Sequence, residues 1–278
     1  MHFRNFYPGD LKGQIAEFLA TRSAAPAPGR PLVAAAVPHA GWRFSGGVAA
    51  RSLKALSEHS SATSILLLGA VHRARLSRSA LYSEGEWETP LGPVPVDAAL
   101  AAEAGSVLGD LAVIDPGAHD TEHSLEVELP FIHEVFPGVP VVPIMVPPEG
   151  SPAEVGRRLA RLAGGRGIVA VASTDLTHYG ESYLFTPAGL GDQAHEWMRG
   201  NDERILDLAR GLEAEAIPGE ARKSWNACGP GALAAAAAFA RELGAREGIV
   251  LERTDSHEVA GKGEPFTMAV GYAGIVFG

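Results

Sequence analysis

The chain of 278 residues contains one cysteine, Cys228. An internal disulfide framework is therefore excluded, and a single thiol fits a reducing compartment. Long apolar runs are also missing. Hydrophobic residues make up 46% of the chain, yet no run approaches the roughly 18 residues needed to cross a bilayer. The first residues, Met1-His2-Phe3-Arg4-Asn5, lack the apolar core of a signal peptide. These absences set the expectation of a cytoplasmic protein with no membrane partner. Positive charge is in the minority, with 23 Lys and Arg against 33 Asp and Glu and a formal net charge of −10. That balance argues against a nucleic-acid partner. Gly46-Gly47 alone matches neither a P-loop nor a dinucleotide fingerprint, and no G-x-S-x-G elbow occurs. No internal repeat is evident.

What is present is alternation. Apolar runs at Leu32–Val37, Ile65–Leu68, Val141–Val146, Ile168–Ala172, Ile249–Leu251 and Met268–Phe277 read as strands buried on both faces. Helical patterns lie between or beside them: Asp10–Ala20, Gly47–Leu56, Asp97–Leu108, Pro152–Leu162, Asp192–Arg210 and Gly231–Leu243. The order predicts one α/β domain over residues 1–278, with a largely parallel or mixed central sheet flanked by helices. The Ala- and Pro-rich segment 21–31 reads as the connection from the first helix to the first strand. Prolines 90, 93 and 95 keep Trp87–Val96 out of a central strand or a helix interior, so it reads as an extended surface excursion.

The reactive side chains follow the strands. The first run leads into Pro38-His39-Ala40-Gly41-Trp42, the second into Gly69-Ala70-Val71-His72, and the fourth into Ser173-Thr174-Asp175-Leu176-Thr177-His178. Ligands of open α/β sheets bind beyond the carboxyl ends of strands, so three histidines distant in sequence can share one cleft. Cys228 precedes Gly229-Pro230-Gly231 and an alanine-rich helix. A helix start favours thiolate, which serves as metal ligand or nucleophile. Two imidazoles with a thiolate or carboxylate make a three-ligand site with open positions, suited to iron(II), copper or zinc. His119 and His123 share a face only if their segment is helical. His257 has no assignable place, and His2, His59, His133 and His195 read as solvated. Trp42, Tyr179 and Trp225 read either as an aromatic wall or as core.

At these residues the chain resembles the Memo family, whose bacterial members are called AmmeMemoRadiSam system protein B. The motifs are Phe6-Tyr7-Pro8, Pro38-His39-Ala40-Gly41-Trp42, Leu68-Gly69-Ala70-Val71-His72, Glu122-His123-Ser124-Leu125-Glu126 with Leu129-Pro130, Ser173 to Tyr179, Cys228-Gly229-Pro230-Gly231 and Val270-Gly271-Tyr272-Ala273-Gly274. They run in the family's order across nearly the whole chain. The resemblance implies a fold similar to class III extradiol dioxygenases and a metal held by His39, His72 and Cys228, with iron and copper both proposed for the family. It implies acid–base roles for His123 and His178. Asp175 itself reads either as orienting His178, by fixing its tautomer, or as capping the following turn. Two departures stand out. The family's usual Gly-Pro-(Ser/Asn)-His is Gly69-Ala70-Val71-His72 here, and the dioxygenases use a carboxylate where Cys228 stands.

The expected function is that of a redox-metal protein with a small-molecule or peptide ligand in its cleft, a dioxygenase-like oxidoreductase if it is an enzyme. One alternative is a metal-independent cysteine hydrolase using Cys228, His178 and Asp175. Another is a non-catalytic module binding metal or peptide. Substrate, metal identity and oligomeric state are not legible in the sequence.

Overall fold

The computed structural model describes residues 10–21, 30–261 and 265–278. His2, the Phe6-Tyr7-Pro8 motif and most of the 21–31 connection lie outside the described residues. The strands are β1 (Ala34–Val37), β2 (Ser64–Gly69), β3 (Ser79–Leu81), β4 (Glu86–Thr89), β5 (Gly92–Pro95), β6 (Ala112–Ile114), β7 (Val141–Met145), β8 (Ile168–Ser173), β9 (His178–Tyr179), β10 (Gly248–Asp255) and β11 (Ala269–Phe277). The helices are α1 (Leu11–Thr21), α2 (Trp42–Glu58), α3 (Ala98–Leu108), α4 (Leu129–Val135), α5 (Pro152–Ala163), α6 (Asp192–Arg210), α7 (Ile217–Ser224), α8 (Pro230–Glu242) and α9 (Ser256–Ala260).

The central sheet has the order β10-β11-β1-β8-β2-β7-β3-β6, with β9 pairing against β11. Its middle is parallel: β1 pairs with β8, β8 with β2 and β2 with β7. The flanks are antiparallel, at β11 against β1 and at β3 against β7. The sheet is thus mixed with a parallel centre, as the strand–helix alternation predicts. All residues of β1, β2, β7, β8 and β11 are buried, because helices cover both faces.

The two-residue period of a strand divides the core. Ala34, Ala36, Leu66 and Leu68 face a layer containing residues of α3, α5, α6 and α8. Ala35, Val37, Ile65 and Leu67 face α1, α2 and α4. Alanines 232, 234–238 and 240 of α8 are all buried. Their small side chains let α5 come close: a Cβ on Gly156 would sit 2.1 Å from the Ala235 carbonyl oxygen.

Trp87–Val96 forms the β4–β5 hairpin, a separate two-stranded sheet. The excursion is therefore extended but self-paired. Strands β3, β6 and β9 and helices α4, α7 and α9 are absent from the sequence-based assignment. Each has only two to eight residues, too few for a periodic pattern to emerge.

Two helix glycines separate packing from propensity. Gly156→Ala should destabilise the protein by roughly 1–3 kcal/mol through the α5–α8 clash. Gly105→Ala in α3, where nothing lies within 4 Å of the added Cβ, should stabilise it by about 0.5–1 kcal/mol. Thermal unfolding of the two variants checks the sign of each shift.

Candidate metal centre

The register of β1, β8 and β2 places their carboxyl ends side by side. Val37 pairs with Ser173, and Leu68 with Ala172. The loops that follow carry His39, Asp175 and His72 to one rim of the sheet. The start of α8 reaches this rim because residue 229 is glycine; a Cβ there would lie 2.4 Å from the Ser173 carbonyl oxygen. Cys228 precedes it, and its N–H donates to the Asp175 carbonyl at 3.2 Å.

The His39 Nε2 lies 3.3 Å from Cys228 Sγ. Ring centroids are 5.2 Å apart for His39 and His72, 5.3 Å for His39 and His123, and 4.8 Å for His72 and His123. Among the described residues, candidate ligand atoms here form two triads that share His39: His39–His72–His123 and His39–Asp175–Cys228. His39, His72, His123 and the sulfur thus lie together at one rim of the sheet.

The supporting residues were not legible beforehand. Glu122 is buried and grips the His72 loop. Its Oε1 lies 2.8 Å from His72 Nδ1, and its Oε2 accepts from the His72 N–H at 2.9 Å. Oε1 also accepts from the backbone N–H groups of His123 and Ser124, at 3.0 and 2.9 Å. Ser173 Oγ lies 2.8 Å from His39 Nδ1 and donates to Glu128 Oε1 at 3.1 Å. A hydroxyl that donates to Glu128 accepts from His39, so Nδ1 carries a proton and Nε2 is the ring atom that faces the sulfur. The available signal was a run of acids, Glu122, Glu126 and Glu128, among the buried residues Leu125, Val127 and Leu129.

Asp175 does something other than expected. Its Oδ1 accepts from the His39 backbone N–H at 2.9 Å, while its Oδ2 is 3.9 Å from His178 Nε2 and 4.0 Å from His39 Nε2. At 3.9 Å the Asp175 carboxylate stands beyond ordinary hydrogen-bond reach of His178 Nε2. The Asp175 N–H instead donates to Cys228 Sγ at 3.2 Å.

Charge in the pocket is balanced by proximity. Burial opposes the Cys228 thiolate, but His39, His178 and His72 outweigh it and pull the thiol well below its ordinary value. Burial likewise opposes the His39 cation, while Cys228 and Asp175 raise it to about 9. His72 rises to about 10 because Cys228 and Glu122 overcome its burial. His178 rises to about 10 against burial through Asp175 and Cys228. His123 goes the other way, to about 4, from burial and its two cationic neighbours. Burial raises Glu122, but His72 prevails and holds it at about 2. Glu128 is pushed up to about 8 by burial.

A cleft of about 480 Å³ opens beside this cluster, lined by Cys228, His178, Tyr183, Arg222 and Trp225 among others. Of the three aromatics, only Trp225 is exposed. Trp42 is buried against Phe131, with centroids 4.1 Å apart, and Tyr179 is core.

Residues 4–276 match the family model described as Memo-like protein. The chain belongs to the Memo family. A MEMO1 family protein of Thermococcus onnurineus is 34% identical over 285 residues, covering 98% of this chain and 96% of the relative. One from Pyrococcus abyssi is 35% identical over 258 residues, covering 89% and 87%. The Memo chain also resembles the crystal structure of an uncharacterized protein from Escherichia coli K12 in fold. Its TM-score is 0.52 at 16% identity, over 86% of this chain and 99% of that one.

The remaining histidines scatter. His119 lies in a short 3-10 turn, Pro116–Thr121, and lines a different cavity with Trp87. His195, expected to be solvated, instead bonds Asp255 Oδ2 at 2.6 Å through Nε2 and stacks on Phe266. His257 packs edge-on against His195, centroids 5.3 Å apart. His133 is likewise half-buried rather than solvated, as is His59 at the end of α2.

A depressed thiol pKa extends the Cys228 thiolate to lower pH than that of an ordinary cysteine. In metal-stripped protein its alkylation by iodoacetamide should therefore fall less steeply between about pH 8.5 and 6 than that of an ordinary thiol, which slows about tenfold per unit. His39→Gln should restore that slope. Mass spectrometry of the modified cysteine checks both profiles.

Proposed function

We propose that this Memo-family chain acts as one domain that holds a redox-active metal, iron(II) or copper, through His39, His72 and Cys228. We further propose that it works as a dioxygenase-like oxidoreductase on a ligand in the adjoining cleft. The observation that carries this reading is the support behind the donors. Ser173 occupies Nδ1 of His39 and Glu122 occupies Nδ1 of His72, which leaves the Nε2 atoms for an ion. Metal-bound histidines are held in this way by acceptors on the opposite nitrogen.

The donor set fits such an ion. Two imidazoles and a thiolate suit copper, iron or zinc rather than magnesium or calcium. Cys228, Glu122 and Asp175 supply three negative charges where His39 and His72 otherwise carry protons. A divalent cation replacing those two protons leaves the net charge of the pocket unchanged. When bound, a metal of this kind supplies Lewis acidity and one-electron chemistry.

The chain's own groups handle the rest. The Asp175 N–H holds the sulfur in place. Among the described residues, His178 Nε2 has no hydrogen-bond partner within 3.5 Å; His178 lines the cleft, so it can give a proton to a bound ligand. His123, kept neutral by its surroundings, can accept one. Trp225 offers a planar apolar wall, and Arg222 a cation, to a ligand entering beside Cys228.

Protein purified without oxygen should carry about one iron or copper ion per chain. His39→Ala and Cys228→Ala should both lose it, as read by elemental analysis. A metal-free wild type sinks the proposal, and zinc as the sole metal sinks its redox part. Glu122→Gln should weaken metal affinity roughly 10- to 100-fold while leaving the fold intact. Competition against a chelator measures that affinity, and circular dichroism monitors the fold.

A further inference from the structure

A second cavity, of about 260 Å³, lies behind Glu122 and is separate from the cleft at Cys228. Its acidic lining comes from Glu86, Glu88, Asp120, Glu122 and Glu126. Among the described residues, no lysine or arginine lines it. Its aromatic walls are Tyr82, Trp87 and His119, which are mutually near-perpendicular at 80°, 84° and 84°. Their centroids stand 5.3 to 5.8 Å apart, so the three rings form the corner of a box.

His119 is only 5% exposed, and its Nε2 has no hydrogen-bond partner among the described residues. Its Nδ1 lies 3.1 Å from the Asp115 carbonyl oxygen, which can only accept. The ring proton therefore sits on Nδ1, and Nε2 is left as a bare acceptor. A buried acceptor without a donor is costly in a folded protein unless something supplies the hydrogen bond. Burial also favours the neutral imidazole here.

We propose that this cavity binds a small organic ammonium ion carrying at least one N–H. Aromatic faces and carboxylates both attract such a cation, and its N–H satisfies His119 Nε2. A bare divalent metal is the poorer fit: among the described residues, no three ligand atoms of this lining gather within the 4.8 Å spacing found at the other centre. The occupant would touch Glu122, the same carboxylate that braces His72. The site is thus a neighbour of the metal pocket, and its lining shares no residue with the cleft at Cys228.

Titration of the full chain with 1,4-diaminobutane, followed by the indole N–H resonance of Trp87 in an ¹H–¹⁵N spectrum, tests the assignment. Trp87→Phe identifies that signal. Saturable binding is expected, with affinity reduced roughly tenfold by Glu88→Gln and by His119→Phe. Glu88 is exposed, so its variant is expected to fold. Tetramethylammonium, which has the charge but no N–H, should bind roughly tenfold more weakly, and 1-butanol should not compete. The assignment is overturned if diaminobutane gives no saturable shift, if both variants bind like wild type, or if tetramethylammonium or butanol matches the amine.

Discussion

The site depends on one carboxylate. Glu122 receives four contacts from three residues: the backbone and ring of His72 and the backbone N–H groups of His123 and Ser124. It joins the loop after β2 to the segment before α4, which are 50 residues apart in sequence. A buried carboxylate with this many donors is fully satisfied, and removing it would strand several N–H groups at once. The distance between the His72 and His123 rings follows from this clamp. The opposite wall depends on Asp175, which orders the His39 backbone through its side chain and the sulfur through its amide.

Those clamps act only because the sheet delivers their loops to the same place. Three parallel neighbours, β1, β8 and β2, finish in register. Alanines and branched aliphatics fill both faces of these strands, so the chain can turn polar only where a strand stops. The helix α8 completes the ring of donors from the other side. Its approach is set by the absence of side chains at Gly229 and Gly231; a Cβ on the latter would meet the Val146 carbonyl oxygen at 2.1 Å.

The strands that build the rim were legible because each is a continuous apolar run ended by glycine, proline or serine. His39, His72 and His178 were found by that punctuation, and Cys228 as the lone cysteine before a helix start. The hairpin strands β4 and β5 were readable only as extended chain, since prolines mark what a segment avoids more clearly than what it pairs with. Residues 116–123 were ambiguous because a 3-10 turn breaks the helical period: His119 lines the second cavity, and His123 sits beside His39 and His72. The supporting roles of Glu122, Ser173 and Glu128 escaped notice for another reason. Their roles come from hydrogen bonds across tens of residues, and nothing in local spacing encodes such pairs. His195 was misjudged likewise, its partner Asp255 being 60 residues away.

The solitary sulfur has a chemical corollary. A cysteine oxidised to the sulfenic acid is ordinarily rescued when a second thiol in the same protein condenses with it. Cys228 has no such sister anywhere in the 278 residues. Recovery from an encounter with peroxide must then come from a diffusible thiol small enough to enter the cleft. Without one, the sulfur climbs irreversibly to the sulfinic acid.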